Sequence, residues 1–399
     1  MNCTTLLEYK KITYSINKAS KLKQDIDFKQ YESRNKLPYN KSNLITLLLK
    51  KNDIQLPKHN NSLENLHNYI VDYLYTVADF IKLNSRDISS FDIIVNTLYV
   101  NKINNFDELS DYFELRRYEV YIIFRINDNN KMTTMHFFKD GLLSEFISES
   151  TQFTYEAIYR LHKNIMSKHK STISELSIYA DCVVASDVAA LIAHEIVGHI
   201  AEHDNQFNYT KLNNDIVANE FSVREVSPWS DINIPYPAFF DEKGFPTSNK
   251  LIIDKGEFKR KLKNGNHRIG YSTGLMMNRM NNIEICKGKN NIQQMISSIE
   301  RGFLLSSPII GLVSKSKNEF SIEVDNVKVI DYGEVKDNIT TCEIKSKISD
   351  FINNISMIGN ETLWRGGDCE KRNDIVFVGM GGVPLKTKIH LKTTTKNRI

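Results

Sequence analysis

The sequence predicts an α+β protein with a helix-and-hairpin N-terminal domain at residues 1–170 and a strand-rich C-terminal domain at residues 171–399. Helical patterns prevail before about residue 170, and a strand followed by an apolar helix comes directly after it. Beyond about residue 250, most of the chain consists of β-branched and aromatic runs broken by Gly, Asp and Asn. We therefore expect a buried helix at the start of the second domain.

The N-terminal elements are predicted from periodicity and from turn residues. Residues 62–83 carry apolar side chains at helical spacing, and residues 149–166 give a second helix. Residues 117–126 predict a strand, and a polar cluster then turns the chain into a hairpin with residues 132–138. Polar islands such as KHNNS (58–62) are interpreted as loops between helical patterns in the first hundred residues.

The C-terminal domain is predicted to begin with a strand and a buried helix. Residues 175–184 give the strand, and Ser186 or Asp187 can cap the helix DVAALIAHEIVGHIA that follows. Because this helix is apolar on nearly every side, we expect it to be buried. Later strands are predicted in three runs, LIIDKGEFKRKL, EFSIEVDNVKVIDYGEV and DIVFVGMGGVPLKTKIHLKT.

Composition argues against several classes of function. The net charge of +4 over 399 residues is too small to indicate the concentrated basic face that is typical of nucleic-acid binding. No uncharged apolar run is long enough to span a bilayer, and the N-terminus lacks the features of a signal peptide. Five scattered cysteines indicate free thiols in a reducing compartment. We expect a cytoplasmic protein that binds neither membrane nor nucleic acid.

The segment HEIVGH, residues 194–199, places three ionisable side chains inside the apolar helix. Histidines four residues apart share a helix face and can bind one metal ion, but His194 and His199 are five apart. At about 100° per residue, that step separates their directions by roughly 140° on a regular helix. Buried imidazoles and carboxylates are costly unless they are satisfied, so this cluster indicates a site. Separate hydrogen bonds within the core are the alternative interpretation.

Gly198 suggests how the two histidines could converge. A glycine inside a helix costs about 1 kcal/mol relative to alanine, and it permits a local change of winding. A π-bulge would bring positions 194 and 199 back to one side, and such bulges recur at functional sites. A helix that ends or kinks at Gly198 would serve as well. We expect residues 187 to about 203 to be helical, with a distorted hydrogen-bond ladder between the histidines.

A shared metal ion would assign a function to Glu195 and would require a third ligand. Glu195 would flank the metal as the general base for water, like the glutamate of H-E-x-x-H enzymes. A catalytic zinc site usually has three protein ligands and one open position. The residues alone leave the third ligand open among Glu202, His203, Asp204, His267, Cys369 and His390.

Several segments resemble the TldD/PmbA metallopeptidases. HEIVGHIAEHD (194–204) is similar to the family signature H-E-x-x-x-H-x-x-E-x-D. FDEKGFPTSNKLIIDKGEFKRKL (240–262) is similar to a D-E-G-x-P-T turn with its hairpin, and NRMNNIEICKG (278–288) is similar to an R-M-x-N stretch. The resemblance continues through IGNETLWRGGDC and VGMGGVPLKTKIHLK and covers about residues 117–393, whereas the first hundred residues match poorly.

The resemblance implies a zinc metallopeptidase with one Zn²⁺ per catalytic chain, bound by His194, His199 and Cys369. Glu195 would be the catalytic base, while Glu202 and Asp204 would hold the imidazoles or shape the metal pocket. The implied substrates are unfolded or leader-type peptides, including precursors in the maturation of ribosomally made peptides. The implied assembly is a homodimer, or a heterodimer with a motif-lacking family member, that encloses the cavity for the peptide.

The main alternative is a non-catalytic peptide-binding partner subunit of a TldD/PmbA-type complex. The combination of His194, Glu195 and His199 counts against it, because a scaffold has no need of these residues. Regulation of gyrase or DNA, which the older naming of the family suggests, is supported by no basic stripe or base-reading module in the sequence.

Overall fold

The computed structural model describes residues 2–37, 51, 66–84, 88–107, 109–126, 131–140, 143–168, 177–202, 220–314, 318–339 and 342–393. The chain forms two compact units. The C-terminal unit contains Met1–Thr4, Ser33–Ile54 and Ser174–Thr394, and the N-terminal unit contains Thr5–Glu32, Gln55–Ile173 and Thr395–Ile399. That the domains divide between residues 170 and 171 stays a prediction.

The N-terminal unit is built on a five-stranded sheet with two helices. The strands are β1 (Asn2–Asn17), β2 (Leu22–Lys36), β3 (Ile88–Phe106), β4 (Leu109–Ile126) and β5 (Lys131–Asp140). Their order is β2-β1-β3-β4-β5. The helices are α1 (Leu66–Asn84) and α2 (Leu143–Lys168). A shared core joins one face of α1 to the buried positions of β3 and β4.

The predicted hairpin and both predicted helices are present, but the sheet is larger than predicted. β4 and β5 pair antiparallel from Arg117↔Asp140 to Ile126↔Lys131. β1, β2 and most of β3 lie within the first hundred residues, where helical patterns joined by polar loops were expected, so that expectation was wrong for these segments. In β1, the buried positions change from odd to even numbers at the consecutive residues Lys10 and Lys11, which breaks the alternation typical of a strand. The KHNNS island at 58–62 lies outside the described residues.

The C-terminal unit contains two large sheets. The first consists of β6 (Ser177–Val184), β13 (Arg301–Ser314), β14 (Glu319–Asp331), β15 (Glu334–Ile339), β16 (Cys342–Lys347), β17 (Met357–Ile358) and β20 (Leu385–Thr393). Its order is β13-β6-β20-β16-β14-β15, with β17 paired to β20, and β13 also pairs with β14, so the sheet closes on itself.

The second sheet consists of β7 (Val223–Glu225), β8 (Lys250–Asp254), β9 (Glu257–Phe258), β12 (Asn282–Ile285), β18 (Leu363–Lys371) and β19 (Asp374–Gly382). Its order is β18-β19-β12-β7-β8-β9, and a separate pair joins β10 (His267–Ile269) to β11 (Met276–Asn278). The three strand-rich runs predicted from the sequence therefore form β8–β9, β14–β15 and β19–β20.

One buried helix contacts both large sheets. It consists of α3 (Ser186–Ile192), a π-helical turn (Ala193–Gly198) and a last α-helical turn, α4 (His199–Ala201). We call these three segments the site helix. It packs against β13 of the first sheet and against β12, β18 and β19 of the second. Its apolar residues belong to the large core of the unit, which explains why the helix is apolar on nearly every side.

The predicted distortion of the site helix is confirmed. The backbone N–H of His199 donates to the carbonyl of His194, which is the i to i+5 bond of a π-helix. The helix ends at Ala201, because Glu202 has extended backbone angles of φ −61° and ψ 131°. The predicted cap was wrong. The N-cap is Ala185, which makes no side-chain hydrogen bond. The carboxylate of Asp187, in the first turn, accepts from Val188 N–H through Oδ1 and from Ser307 N–H on β13 through Oδ2, each at 2.8 Å.

Two short helices, α5 (Ile292–Ser297) and α6 (Ile348–Asn353), complete the regular elements described in the C-terminal unit. None of the described helices combines the length and the apolar character needed to cross a membrane.

Candidate metal site

The π-helical turn places the two motif histidines side by side. Their ring centroids lie 4.8 Å apart, and the ring planes meet at 81°. Cys369 on β18 approaches from the second sheet, with Sγ 3.7 Å from Nε2 of His199. One potential ligand atom from each of His194, His199 and Cys369 lies within 4.8 Å of the others, and all three side chains are buried. The structure thus brings together the three residues that the resemblance implied.

Strand geometry explains why the thiol of Cys369 points inward. Successive side chains of a strand point to opposite faces, and the flanking residues Asp368 and Glu370 are exposed while Cys369 is buried. β18 pairs antiparallel with β19, which itself contacts the site helix. This arrangement holds the cysteine against the helix that carries the two histidines.

The other candidates for the third ligand lie elsewhere or make other contacts. Nδ1 of His267 on β10 lies 2.7 Å from Oδ2 of Asp241. Nε2 of His390 on β20 lies 3.3 Å from Oγ of Ser177. Glu202 contacts His199 on the side away from Cys369, as described below. His203 and Asp204 lie outside the described residues, so the expectation for Asp204 stays a prediction.

Gly198 is required for close packing. Its backbone angles, φ −57° and ψ −57°, are those of an ordinary helical residue. A Cβ atom at this position would collide with the thioether of Met280, a fully buried residue that precedes β12. The absence of a side chain at Gly198 therefore lets the π-helical turn approach the second sheet. The sequence suggested that this glycine would permit unusual backbone angles, but its backbone angles are ordinary.

Glu195 lies beside the histidine pair and against β13. Its Oε2 lies 3.9 Å from Nε2 of His199, and 8% of the residue is exposed. A Cβ atom added at Gly311 of β13 would lie 2.7 Å from Cγ and 3.0 Å from Oε1 of Glu195. Gly311 therefore makes room for the carboxylate. Sequence reasoning missed this residue, although a glycine inside a strand can signal such a close approach.

A buried ionic cluster supports the far side of His199. Oε2 of Glu202 lies 3.5 Å from Nδ1 of His199, and the carboxylate is fully buried. Lys371 Nζ on β18 lies 2.7 Å from Oε2 of Glu202, and Arg279 Nε lies 3.3 Å from Oε1. Arg279 also donates to the backbone carbonyl of Cys369. These contacts join the histidine and cysteine halves of the site.

Sequence reasoning missed Arg279 and Lys371. Arg279 belongs to the R-M-x-N stretch noted in the resemblance, and Lys371 stands two residues after Cys369. The resemblance therefore contained a signal for Arg279. No pattern in the sequence could show that both cations meet Glu202, because Lys371 on β18 and Arg279 between β11 and β12 reach the end of the site helix only through tertiary packing.

The two imidazoles have opposite electrostatic surroundings. Burial lowers the pKa of His194 below its usual value. Burial also acts to lower the pKa of His199, but the Cys369 thiolate and the Glu202 carboxylate outweigh it and raise this pKa to about 9. Burial acts to raise the pKa of Glu202, yet its hydrogen bond with His199 and the charges of His199, Lys371 and Arg279 hold it near 2. The negative groups that favour a proton on His199 also favour a divalent cation there.

The donor set fits a zinc ion. Two imidazoles and one thiolate are ligands that zinc accepts, and three protein ligands leave one position open. The 3.7 Å between Nε2 of His199 and Sγ of Cys369 is close to the roughly 3.6 Å expected between nitrogen and sulfur ligands of a tetrahedral zinc. Nδ1 of His194 is buried and has no hydrogen-bond partner in the described part of the chain. Such a group calls for a partner, and a nearby metal ion is one explanation.

Comparison with known proteins identifies the family of this chain. Residues 178–383 match the family model described as the PmbA/TldA metallopeptidase C-terminal domain. The chain belongs to the TldD/PmbA family, as the sequence segments predicted. The matched region contains the site helix, Arg279 and Cys369.

Two relatives with similar sequences are named as metalloproteases. The zinc metalloprotease TldD homolog of Saccharolobus solfataricus is 24% identical over 324 residues, which are 74% of this chain and 72% of that protein. The metalloprotease TldD homolog of Buchnera aphidicola subsp. Schizaphis graminum is 23% identical over 225 residues, which are 51% of this chain and 46% of that protein. Together with the family model, these relatives support a metallopeptidase-family role.

Two solved structures share the fold. TldE from Thermococcus kodakarensis superposes with a TM-score of 0.60 at 12% identity, covering 98% of this chain and 96% of that one. A putative modulator of a DNA gyrase from Thermotoga maritima superposes with a TM-score of 0.63 at 13% identity, again covering 98% and 96%. At this identity the likeness concerns the fold alone.

Proposed function

We propose that this chain is a zinc-dependent peptidase that hydrolyses unfolded or leader-type peptides. The observation that carries the proposal is the convergence of His194, His199 and Cys369 within 4.8 Å, with Glu195 beside them. A buried cluster of two imidazoles, a thiol and a carboxylate is costly for a protein to maintain without a function for it.

The proposed chemistry divides between the metal ligands and Glu195. His194, His199 and Cys369 would hold the ion, and zinc supplies Lewis-acid polarisation of a peptide carbonyl and makes water easier to deprotonate. Glu195 takes the proton from the attacking water and delivers it to the leaving amine. Because the residue is only 8% exposed, bulk water competes little for its carboxylate.

Glu202 acts on His199 from the other side. Its carboxylate lies on the Nδ1 side of the ring, so it favours the tautomer that leaves Nε2 directed at Cys369. Lys371 and Arg279 keep that carboxylate charged and in place. This arrangement makes Glu202 a positioning residue for the imidazole.

The edge of β13 offers a place for an extended substrate. β13 pairs with β14 from Arg301 to Ser314, but with β6 only from Gly302 to Leu305. Beyond Leu305, β14 is its only partner among the described strands, and Gly311 on this stretch adjoins Glu195. A peptide added there as a strand would be held mainly through its backbone. That binding mode tolerates many sequences and requires a substrate that is not folded.

The wider biological setting is part of the same proposal. The enzyme acts in the cytoplasm, as a homodimer or with a motif-lacking family member, around an enclosed cavity. Maturation of ribosomally made peptides fits the requirement for a disordered substrate. In the alternative, a peptide-binding partner subunit without catalysis, Glu195 would have no task, and its placement beside the histidines favours the enzyme.

Cleavage of an unstructured peptide tests the proposal. The purified full-length chain, with zinc, should hydrolyse a quenched fluorescent peptide of about ten residues. Removal of the metal by a chelator should abolish the signal, and added zinc should restore it. A folded, zinc-loaded protein that cuts no unstructured peptide, alone or with a co-expressed family member, would favour the peptide-binding alternative.

A further inference from the structure

A cavity of about 690 Å³ opens beside the β8–β9 hairpin. The residues that line it are Lys250, Lys259, Arg260, Lys261, Lys263 and Asn264. Five of these six residues are cationic, and none is acidic or aromatic. A concave surface lined by one sign of charge concentrates the electrostatic potential and attracts ligands of the opposite sign.

Two of the cations have their charges satisfied within the protein. Nζ of Lys250 lies 2.8 Å from Oε2 of Glu225 and 2.6 Å from Oδ1 of Asn266. Nζ of Lys259 lies 2.5 Å from Oε2 of Glu257. These contacts make Lys250 a fixed part of the cavity wall.

Two other cations face solvent. Arg260 and Lys263 are exposed, and within the described ranges no carboxylate lies at ion-pair distance from either side chain. A guanidinium can bind a carboxylate through two parallel hydrogen bonds, and an ammonium can bind one as a point charge. The cavity therefore presents two anchoring points for acidic side chains.

The basic segment is attached directly to the end of the site helix. Leu262, between Lys261 and Lys263, donates its N–H to the carbonyl of Ala201 at 2.7 Å. Leu262 also forms a parallel bridge with Glu202, the residue that contacts His199. Because Glu202 is three positions after His199 in the chain, this single backbone pairing connects the basic segment to the candidate metal site.

We propose that this cavity binds an acidic segment of the peptide substrate, outside the residues that adjoin the bond that is cut. The inference rests on the proposed peptidase function and names the class of substrate. It makes Arg260 and Lys263 specificity-determining residues. Nucleic acid fits the cavity less well, because no aromatic ring lines it to stack on a base.

Binding of a matched peptide pair tests the inference. One fluorescein-labelled, unstructured 12-residue peptide carries four Glu at one end, and its partner carries Gln at the same positions. The full-length Glu195→Gln variant keeps the peptides uncut during an anisotropy titration. We expect the Glu peptide to bind at least about threefold more tightly, as two exposed ion pairs allow, with a preference that shrinks as salt is added.

Variants without these charges test whether Arg260 and Lys263 cause the preference for the Glu peptide. Arg260→Gln with Lys263→Gln should abolish it and leave the affinity for the Gln peptide unchanged. The matched control is Lys287→Gln with Arg301→Gln, which removes the same two charge types from exposed positions that do not line the cavity. The control should keep the preference.

Several outcomes would overturn the inference. They are equal affinity for the two peptides, equal loss of preference in the control, or displacement of the Glu peptide by a single-stranded 12-nucleotide DNA as effectively as by unlabelled Glu peptide. Cleavage of both peptides at equal rates by the unmutated enzyme, with equal binding, would contradict this inference while supporting the proposed function. Selective binding of the Glu peptide without any cleavage would support the cavity assignment and contradict the proposed catalysis.

Discussion

Nε2 of His199 lies 3.7 Å from Sγ of Cys369, although 170 positions separate the two residues in the chain. The π-helical turn sets the direction of the imidazole, and β18 sets the position of the thiol. The contact therefore depends on a local distortion and on the packing of a sheet against that distortion.

The Glu195→Gln variant tests the proposed general base. Glutamine keeps the size and much of the hydrogen bonding of glutamate, so we expect normal folding and normal zinc content. Hydrolysis should fall by about 10² or more, because the variant has no carboxylate to accept the proton. The measurement is kcat on an unstructured peptide, with Glu370→Gln, an exposed position on β18, as the matched control. Near-normal turnover by Glu195→Gln would remove Glu195 from the mechanism.

The Gly311→Ala variant tests whether β13 positions Glu195. The new Cβ would lie 2.7 Å from Cγ of Glu195, so the carboxylate or the strand must move. We expect kcat to fall roughly tenfold or more, since small displacements of a catalytic group are costly, while zinc is retained. Val335→Ala, at an exposed strand position of the same sheet, should leave kcat unchanged. An unaltered kcat for Gly311→Ala would show that the carboxylate does not depend on this contact.

The Lys371→Met variant tests the buried ionic cluster. Lys371 Nζ lies 2.7 Å from the fully buried carboxylate of Glu202, and its removal leaves that charge with less compensation. We expect the free energy of unfolding in urea at pH 7 to fall by about 3 kcal/mol. Lys336→Met removes a pair of similar length, 2.8 Å, whose lysine side chain is 52% exposed, and it should have a much smaller effect because solvent screens the pair. Equal effects of the two substitutions would contradict this account of the cluster.

The pKa of Glu202 also predicts a dependence of stability on pH. This pKa lies near 2 in the folded protein, below the ordinary value of 4.5. The carboxylate therefore contributes its full stabilisation above pH 4.5, and the contribution is lost as the pH falls from 4.5 towards 2. In chelator-treated protein, the difference in unfolding free energy between the native chain and Glu202→Gln should shrink below pH 4.5. A difference that stays constant from pH 7 to pH 3 would be inconsistent with this titration.

The proposed enclosure predicts selectivity for unfolded substrates. A short unstructured peptide should be cut, while a compact folded domain bearing the same sequence in a surface loop should be spared. Light scattering should show a dimer at micromolar concentration. A stable monomer that cleaves the folded domain efficiently would contradict both expectations. The same domain after denaturation is the control for its susceptibility.

The histidine half of this site could be predicted from sequence, because it depends on residues that are close together in the chain. The five-residue spacing of His194 and His199 in an apolar helix allowed few ways for both rings to share a face, and a π-helical turn is one of them. Cys369 could not be chosen from the residues alone, since strand packing decides which distant donor reaches the helix. The resemblance to a known family supplied it.

The remaining differences come from tertiary contacts. Asp187 is not the N-cap of the site helix. Its carboxylate accepts from Val188 N–H within the first turn and also from Ser307 N–H on a neighbouring strand. β1 was not predicted, because the alternation of its buried and more exposed side chains is interrupted at Lys10 and Lys11. Gly311 matters because it adjoins Glu195, and Lys371 matters because it pairs with Glu202. Both contacts join residues that are far apart in the chain, so the sequence alone does not show them.

Zinc content tests the central claim most directly. The full-length chain, purified in metal-free buffer after zinc loading, should retain about one zinc per chain by elemental analysis. His194→Ala and Cys369→Ala should each reduce this value towards zero while circular dichroism shows a folded protein, and Glu370→Gln should retain the metal. A folded native chain that retains no zinc, or a Cys369→Ala variant that binds zinc as tightly as the native chain, would contradict the proposed site.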